Sequence, residues 1–400
     1  MAINSSQSAF IVVGLGFGDE GKGLATDYLS SVSASPLVIR FNGGHQAGHT
    51  VVTSDGTSHI FSTLGAGTLR GVPTYWSRHC TLAPSVLLPE IASLPIKPKL
   101  FVDELCPVTT HYDILYNRAL ESTRSTNRHG SCGLGFGATV QRHSQPSLRL
   151  CANDLLSPAL FTPILQRIRE YYKDKITNET NYDFDDFNHD REDSNFYSQI
   201  QSVNSLLDSK IVEFVKEEEI FGPSHPWQTF IFEGAQGILL DKKFGFQPHV
   251  TQSNTTSQNA IQLLLTHLPH LVNEARIVYT TRSYLTRHGA GPMPELSDKP
   301  VLINLSDETN VYNEFQGEFR IAHLNLDLLR YAIGCDSEFS AGNNKWLLVT
   351  CLDQVNHERL TCCYKGEALE LSYRQIPSFL DSDFERYLFS FSSCADNLEN

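Results

Sequence analysis

A glycine-rich segment directly follows the first apolar run of the chain and contains a single lysine near its end. It reads Gly14-Leu15-Gly16-Phe17-Gly18-Asp19-Glu20-Gly21-Lys22-Gly23. A turn of small residues between a strand and a helix leaves free backbone N–H groups at the positive end of the helix, and such groups hold phosphates. Lys22 would reach the terminal phosphates of a nucleotide. The segment therefore predicts a nucleotide-phosphate site.

This segment departs from the usual phosphate-binding loop at one position. Residues 16–23 fit G-x-x-x-x-G-K, but Gly23 stands where a Ser or Thr hydroxyl usually contacts Mg²⁺. Another group must then hold the metal, and Asp19 is the candidate within the loop. Gly14-x-Gly16 also suggests a dinucleotide-binding turn, although the spacing of the third glycine is wrong and Lys22 favours phosphate. A tight turn without a ligand is the other alternative.

A second segment rich in glycine and histidine follows another apolar run. It reads Asn42-Gly43-Gly44-His45-Gln46-Ala47-Gly48-His49-Thr50. Polar and glycine residues at the carboxyl end of a strand are typical of an active-site loop, because ligands of α/β proteins bind at that edge of the sheet. We therefore expect His49 to act in catalysis; an ordinary structural histidine is the alternative.

Short apolar runs that alternate with helical patterns must position these loops. The runs lack clean alternation, as expected for strands that are buried on both faces of a parallel sheet. The predicted strands are Phe10–Leu15, Leu37–Phe41, Thr229–Phe232, Ile277–Tyr279 and Trp346–Thr350. Helical spacing extends over residues 164–172 and 203–215. We predict an α/β fold with a large, mostly parallel central sheet flanked by helices.

One segment breaks this alternation. Residues 177–195 are rich in Asp and Glu and are predicted to form an acidic surface loop between two helices, with a regulatory or partner-binding segment as the alternative. Neither an internal repeat nor a sharp shift in composition divides the chain. We therefore expect residues 1–400 to form a single domain.

The overall charge excludes one class of partner. The chain has 400 residues and a formal net charge of −14, so it lacks the basic surface that a general nucleic-acid binder needs. No apolar run approaches the roughly 18 residues of a membrane helix, and the first residues do not have the pattern of a signal peptide. We expect a cytoplasmic protein that binds neither nucleic acid nor membrane.

A series of ordered motifs resembles the adenylosuccinate synthetase family over essentially the whole chain. The two glycine-rich segments described above come first. The later motifs, in family order, are Glu233–Asp241, Val250–Thr256, and Thr286-Arg287 with Gly289-Ala290-Gly291-Pro292. The resemblance implies a P-loop-NTPase-related fold and a homodimer.

The resemblance also implies a reaction. Family members join aspartate to the 6-position of a 6-oxopurine nucleotide through a 6-phosphoryl intermediate, using GTP and Mg²⁺. Asp19 matches the position of the base that removes the purine N1 proton, and His49 that of the donor to the transferring phosphoryl group. Lys22 would hold the triphosphate, while Asp19 and the Gly48 carbonyl match the metal contacts.

The same resemblance implies three groups of binding residues. The triphosphate nucleotide would contact Gly16, Gly18, Glu20, Gly21, Lys22, Gly23, Gly48, His49, Thr50, Asp353 and Ser392. The purine nucleotide would contact Asp19, Gln46, Ser131, Cys132, Arg142, Gln236 and Thr251, with Arg142 reaching across the dimer interface. The amino donor would contact Thr286, Arg287 and Arg320, with help from His323.

Several positions depart from the family pattern. Gln46 stands in place of Asn, and Cys132 replaces a phosphate-binding Thr, although a thiol is a weaker donor than a hydroxyl. Near Glu318 only Arg320 is left of an Arg-rich run that clamps the carboxylates of aspartate. Cys351 replaces the Lys that packs over the guanine base.

These departures leave alternatives open. The chain is expected to use inosine monophosphate or a close analogue, aspartate and GTP. The first alternative is a diverged paralogue that uses another purine, such as a 2-aminopurine nucleotide or dGMP, another amine, or ATP. A catalytically idle nucleotide-binding protein is the second, and the presence of Asp19, Lys22 and His49 argues against it.

Overall fold

A nine-stranded parallel sheet forms the centre of the protein. The computed structural model describes residues 7–223, 226–294, 296, 298–303 and 315–399. Its strands are β1 Ser8–Gly14, β2 Pro36–Arg40, β3 His49–Val52, β4 Ser58–Phe61, β5 Thr74–Trp76, β6 Leu100–Asp103, β7 Val212–Val215, β8 Thr229–Gly237, β9 Arg276–Arg282, β10 Tyr284–His288, β11 Phe319–Asn325, β12 Asn344–Thr350, β13 Leu360–Tyr364, β14 Glu367–Leu371 and β15 Arg386–Phe389.

Helices connect these strands and cover both faces of the sheet. They are α1 Lys22–Val32, α2 Pro84–Ser93, α3 His111–Arg124, α4 Phe136–His143, α5 Pro158–Glu179, α6 His189–Asp208, α7 Glu217–Phe221, α8 Gln258–His267 and α9 Leu326–Ser340. Within the described ranges, no helix combines the length and the apolar character that a membrane crossing requires.

The strand order of the large sheet is β15-β12-β9-β1-β8-β2-β5-β6-β7, and every neighbouring pair is parallel. A second sheet has the order β10-β11-β13-β14, and β3 and β4 form a hairpin. The largest apolar cluster joins the two main sheets, since it contains Val13 of β1 and Leu324 of β11. The predicted α/β class with a large parallel sheet is confirmed.

The five predicted strands all exist, but one predicted helix is too long. The helical pattern over 203–215 ends at Asp208, and residues 212–215 form β7. Lys210 has a left-handed φ of 56° between the two elements, which breaks the helical path. The apolar residues beyond that point belong to an edge strand of the sheet.

The acidic segment 177–195 is also more helical than predicted. Helix α5 continues to Glu179 and α6 begins at His189, so only residues 180–188 connect them. Phe184 within this connection is buried. Asp193 accepts hydrogen bonds from Tyr112 and His111, at 2.9 Å each. The prediction of one long solvated loop is therefore wrong, because its two ends are helical turns packed against α3.

Candidate active site

A cleft of about 1380 Å³ lies at the carboxyl edge of the large sheet and is lined by loops from both main sheets. This is the edge where ligands bind in open α/β sheets. The loop after β1 supplies Asp19 and Lys22, and the loop after β2 supplies Gln46 and Gly48. His49, at the start of β3, completes this part of the lining. The two segments with the strongest chemical signal in the sequence therefore face one cavity.

The glycine-rich loop is fastened from behind by Glu20. One oxygen of its carboxylate accepts hydrogen bonds from the backbone N–H groups of Gly16, at 3.0 Å, and Gly18, at 2.7 Å. The other oxygen forms an ion pair with Lys22. Gly16 and Glu20 are not among the residues that line the cleft. Both are predicted to bind the nucleotide, and in the structure the hydrogen bond between them supports the loop.

The front of the same loop places the beginning of α1 in the cleft, where it can hold an anion. Gly21, Lys22 and Gly23 line the cleft where the helix starts, and the first N–H groups of a helix lack partners within it. Gly21 has a φ of 89°, and a Cβ atom there would lie 2.7 Å from the side chain of Thr350. A glycine is therefore required at this turn.

Asp19 is held on its side chain and on its backbone. Its Oδ2 atom lies 2.9 Å from Nε2 of His288, and its carbonyl oxygen accepts a hydrogen bond from Arg282. Burial favours a higher pKa for Asp19, but the hydrogen bond from His288 and the nearby charges of His288, Arg282 and Lys22 outweigh it and lower the pKa to about 2. Asp19 is therefore ionised at neutral pH and can accept a proton.

His49 is oriented by a buried carboxylate on β8, the strand beside β2 in the large sheet. Its Nδ1 atom lies 2.6 Å from Oε1 of Glu233, whose other oxygen accepts the N–H of Ala66 at 3.1 Å. Burial lowers the pKa of His49. For Glu233, burial favours a higher pKa, but the charges of His49 and Arg40 lower it. An ionised Glu233 accepts a hydrogen bond from Nδ1–H, which leaves Nε2 as the other functional atom of the ring.

Family comparison agrees with this geometry. The family described as adenylosuccinate synthetase matches residues 11–379. The chain belongs to the adenylosuccinate synthetase family. Members of this family are ligases that form C–N bonds.

Curated relatives carry the same family name. The chain is 31% identical over 326 residues to adenylosuccinate synthetase 1 of Pseudoalteromonas translucida, covering 78% of this chain and 70% of the relative. It is also 31% identical over 297 residues to the adenylosuccinate synthetase of Edwardsiella ictaluri, covering 72% and 65%. The chain thus spans about two thirds of the length of the curated relatives that it matches.

Two solved structures share the fold. The fully ligated adenylosuccinate synthetase of Plasmodium falciparum matches with a TM-score of 0.76 and 19% identity, covering 98% of this chain and 99% of that one. The succinoaminodeoxyadenylate synthetase of cyanophage S-2L, bound to dGMP and dATP, matches with a TM-score of 0.63 and 17% identity, covering 99% and 95%. Both matches confirm the fold of an adenylosuccinate synthetase.

Most of the residues predicted to hold the purine nucleotide face the cleft. Gln46, Ser131, Cys132, Gln236 and Thr251 all line it. The side-chain oxygen of Gln46 is buried and has no hydrogen-bond partner among the described residues, so it is available to a ligand. Burial raises the pKa of Cys132, which keeps its side chain a neutral thiol.

The structure corrects the predicted role of Arg142. Its side chain is fully buried and forms a two-pronged ion pair with Asp113, at 2.8 and 3.1 Å. It also donates to the carbonyl oxygens of Leu148 and Val108, at 2.6 and 2.7 Å. Arg142 therefore fastens α4 to α3 and cannot reach the site of a partner subunit.

The side chains predicted to bind the amino donor form hydrogen bonds within the protein. Arg287 donates to the carbonyl oxygens of Ala290, Pro292 and His249, at 3.2, 2.6 and 3.0 Å. Arg320 donates to those of Gly289, at 3.1 Å, and Gly291, at 2.8 Å.

The other predicted donor residues give the same result. Thr286 donates from Oγ1 to the Gly18 carbonyl at 3.2 Å, and His323 lies 3.1 Å from the Thr361 carbonyl. Arg287 lines the cleft, whereas Thr286, Arg320 and His323 do not. Of the donor stretch predicted around Glu318, only residues 313 and 314 lie outside the described residues.

The predicted base-binding residues lie at the far end of the cleft. Asp353 and Ser392 both line it, as does Thr50. Gln354, which sequence reasoning did not single out, also lines the cleft and donates to Oδ2 of Asp353 at 2.9 Å. Sequence reasoning likewise did not single out Glu233, which opens a motif that carried the family resemblance, or His288, which lies between the two parts of another.

Proposed function

We propose that this chain joins aspartate to the 6-position of a 6-oxopurine nucleotide, with inosine monophosphate as the first candidate, at the expense of GTP. The observation that carries the proposal is the meeting of Asp19, Lys22 and His49 in one cleft, beside the exposed beginning of α1. A base, a cation for phosphates and a proton donor are the groups that phosphoryl transfer to a purine oxygen needs.

The 6-oxo group explains why the reaction needs these groups. It is amide-like, so its oxygen does not leave unless it is first activated. Asp19 accepts the N1 proton while O6 attacks the γ-phosphorus of the triphosphate, and the bond to the β–γ bridging oxygen breaks. The amine then adds to C6, and the former O6 leaves as part of phosphate.

His49 would stabilise the transferring phosphoryl group. Burial lowers its pKa in the protein alone, so the ring is neutral there. The negative charge of bound phosphates favours the imidazolium form, whose Nδ1–H donates to Glu233 and whose Nε2–H can donate to the phosphoryl oxygens. Glu233 therefore fixes the direction in which His49 donates.

The donor set of the cleft fits Mg²⁺. Among the described residues, no three His, Cys, Asp or Glu side chains are placed to hold a metal by themselves. Asp19 and the Gly48 carbonyl both line the cleft, and Mg²⁺ is usually bound through one or two protein oxygens together with phosphate oxygens and water. When bound, the ion neutralises charge on the triphosphate.

A paralogue with a different substrate is the second candidate. The observation that favours it is the use of Arg287 and Arg320 on backbone carbonyls, which leaves the two carboxylates of aspartate without these predicted partners. A solved protein of the same fold is bound to dGMP and dATP, so the fold accepts a 2-aminopurine deoxynucleotide and an adenine nucleotide. Cys132 and Gln46 are the substitutions that bear on the purine nucleotide.

A substrate panel separates these candidates. Pure protein is incubated with Mg²⁺, GTP or ATP, one of several 6-oxopurine nucleotides including inosine monophosphate and dGMP, and aspartate or another amino acid. Phosphate release and the absorbance spectrum of the purine report turnover. Turnover with inosine monophosphate, aspartate and GTP supports the first proposal. Turnover only with another combination supports the paralogue, and none in any combination contradicts both.

The proposal extends to the assembly and the location of the protein. We propose a single-domain homodimer that acts in the cytoplasm, as the family resemblance implies. Because Arg142 cannot cross to a partner, any cation supplied across the interface must be another residue. Light scattering of the purified chain, with and without substrates, measures the oligomeric state.

A further inference from the structure

We propose that His288 is a positioning residue for Asp19: by donating to Oδ2 it directs Oδ1 to the purine N1 proton, and the carboxylate keeps further lone pairs for the metal contact assigned to Asp19. This inference rests on the proposed function, in which Asp19 is the base. His288 lines the cleft and lies on β10, which belongs to the smaller sheet, whereas Asp19 follows β1 of the large sheet. The contact between them thus joins the two sheets at the reacting group.

The glycine-rich loop is gripped from the side of β10 at consecutive residues. Thr286 donates from Oγ1 to the Gly18 carbonyl at 3.2 Å, and Nε2 of His288 lies 2.9 Å from Oδ2 of Asp19. Arg282, the last residue of β9, donates to the Asp19 carbonyl. Thr286 and His288 are two positions apart on one strand, so their side chains leave the same face of the sheet. Side chains on that face of β10 therefore hold the glycine-rich loop in its conformation.

The imidazole of His288 is itself held in place. In the antiparallel pairing of β10 with β11, His288 lies opposite Phe319. The two ring centroids are 4.9 Å apart with an interplanar angle of 50°. A ring packed in this way on a paired strand loses little further freedom when it holds a carboxylate. The aromatic contact thus makes His288 a rigid donor.

The backbone of Asp19 is in an unusual conformation, and its side chain is held by His288. It has a left-handed φ of 63° between two glycines with positive φ nearby, Gly18 and Gly21. Rotation about the bond to the carboxyl group would otherwise present either oxygen to the cleft, toward Lys22 as well as toward the substrate. Fixing one oxygen pre-organises the base for proton transfer, and this geometry is what a positioned general base requires.

The test compares two substitutions of His288 in the full-length protein. His288→Leu removes the donor, whereas His288→Gln keeps an N–H at nearly the same place. We expect His288→Leu to lower kcat roughly 10- to 100-fold, since a hydrogen bond to a charged group contributes on the order of a tenfold effect or more. The KM values for both nucleotides should change less than about threefold, and His288→Gln should restore most of kcat.

Controls separate this inference from the proposed function. His270→Leu changes an exposed histidine outside the cleft and should match the wild type in kcat and thermal unfolding. If wild type turns over and Asp19→Asn does not, a kcat for His288→Leu within twofold of wild type overturns the inference alone. Equal loss in the Leu and Gln variants also overturns it. Absence of turnover in the wild type with every substrate combination overturns the proposed function and this inference together.

Discussion

Asp19 and His49 carry the proposed chemistry from loops that follow two strands of the same sheet. The strand between them, β8, supplies Glu233, which orients His49. The proton acceptor Asp19 and the hydrogen-bond donor His49 are therefore positioned by different partners, His288 and Glu233. This separation lets one site hold an ionised base and a polarised histidine at the same pH.

Replacing either reacting residue should stop turnover without unfolding the protein. Asp19→Asn removes the proton acceptor, and His49→Asn removes the hydrogen-bond donor to the phosphoryl group. We therefore expect kcat to fall by about a thousandfold or more in each variant. Phosphate release and circular dichroism check activity and folding. Asp55→Asn, at the exposed tip of the β3–β4 hairpin, is the matched control. Near-normal activity in Asp19→Asn or His49→Asn would contradict the assignment.

Glu233→Gln should weaken catalysis while leaving the ring of His49 in place. The amide oxygen can still accept from Nδ1, but the lost charge disfavours imidazolium, so we expect kcat to fall roughly 10- to 100-fold. Steady-state kinetics measure the effect. Glu90→Gln offers a control, because Glu90 is also a buried carboxylate that accepts backbone N–H groups but lies outside the cleft. Equal losses in both variants would contradict a specific role for Glu233.

The sequence indicates the proposed reacting residues more clearly than the partners that hold them in the structure. Asp19, Lys22 and His49 stand in segments where glycines and polar residues follow a buried strand, and this pattern is typical of an active-site loop. His288 is one histidine after Arg287, and only the pairing of β10 with the loop makes it a neighbour of Asp19. The prediction for Arg142 depends on its position relative to the family motifs. Such a position cannot distinguish an arginine at the dimer interface from a buried one.

At the scale of elements, strands that are buried on both faces were predictable. β1, β8 and β9 have apolar runs with a glycine or polar boundary, which gives them a clear signal. The edge strand β7 was assigned to a helix, because its apolar residues continue the spacing of α6 and no glycine or proline marks the turn at Lys210. The second sheet was not foreseen, since its strands pair over long distances along the chain.

The Arg142–Asp113 pair should stabilise the packing of α3 and α4. Arg142→Met leaves Asp113 buried without its cation, so we expect the free energy of unfolding to fall by about 3–5 kcal/mol. Urea unfolding measures this loss. Arg149→Met in the same segment changes an exposed side chain and should cost less than about 0.5 kcal/mol. Similar stability of the two variants would show that the pair is not structural.

At the scale of the whole molecule, charge opposes binding. The net charge is −14, and every proposed substrate is anionic. Attraction must then come from inside the cleft, where the beginning of α1, Lys22 and Arg282 meet the lining. Mg²⁺ adds to these groups when it accompanies the triphosphate. The cleft must therefore attract anionic substrates against the negative potential of the protein surface. The positive charge inside the cleft limits the affinity for these substrates.

The central claim is that the oxygen on C6 of the purine leaves as part of phosphate. Its most direct test is a turnover with a 6-oxopurine nucleotide labelled with ¹⁸O at O6, inosine monophosphate first, together with unlabelled GTP and aspartate. Mass spectrometry then reads the isotope in the released phosphate. A 6-phosphoryl intermediate predicts ¹⁸O in the phosphate in proportion to the product formed. Product that accumulates with unlabelled phosphate would contradict the account.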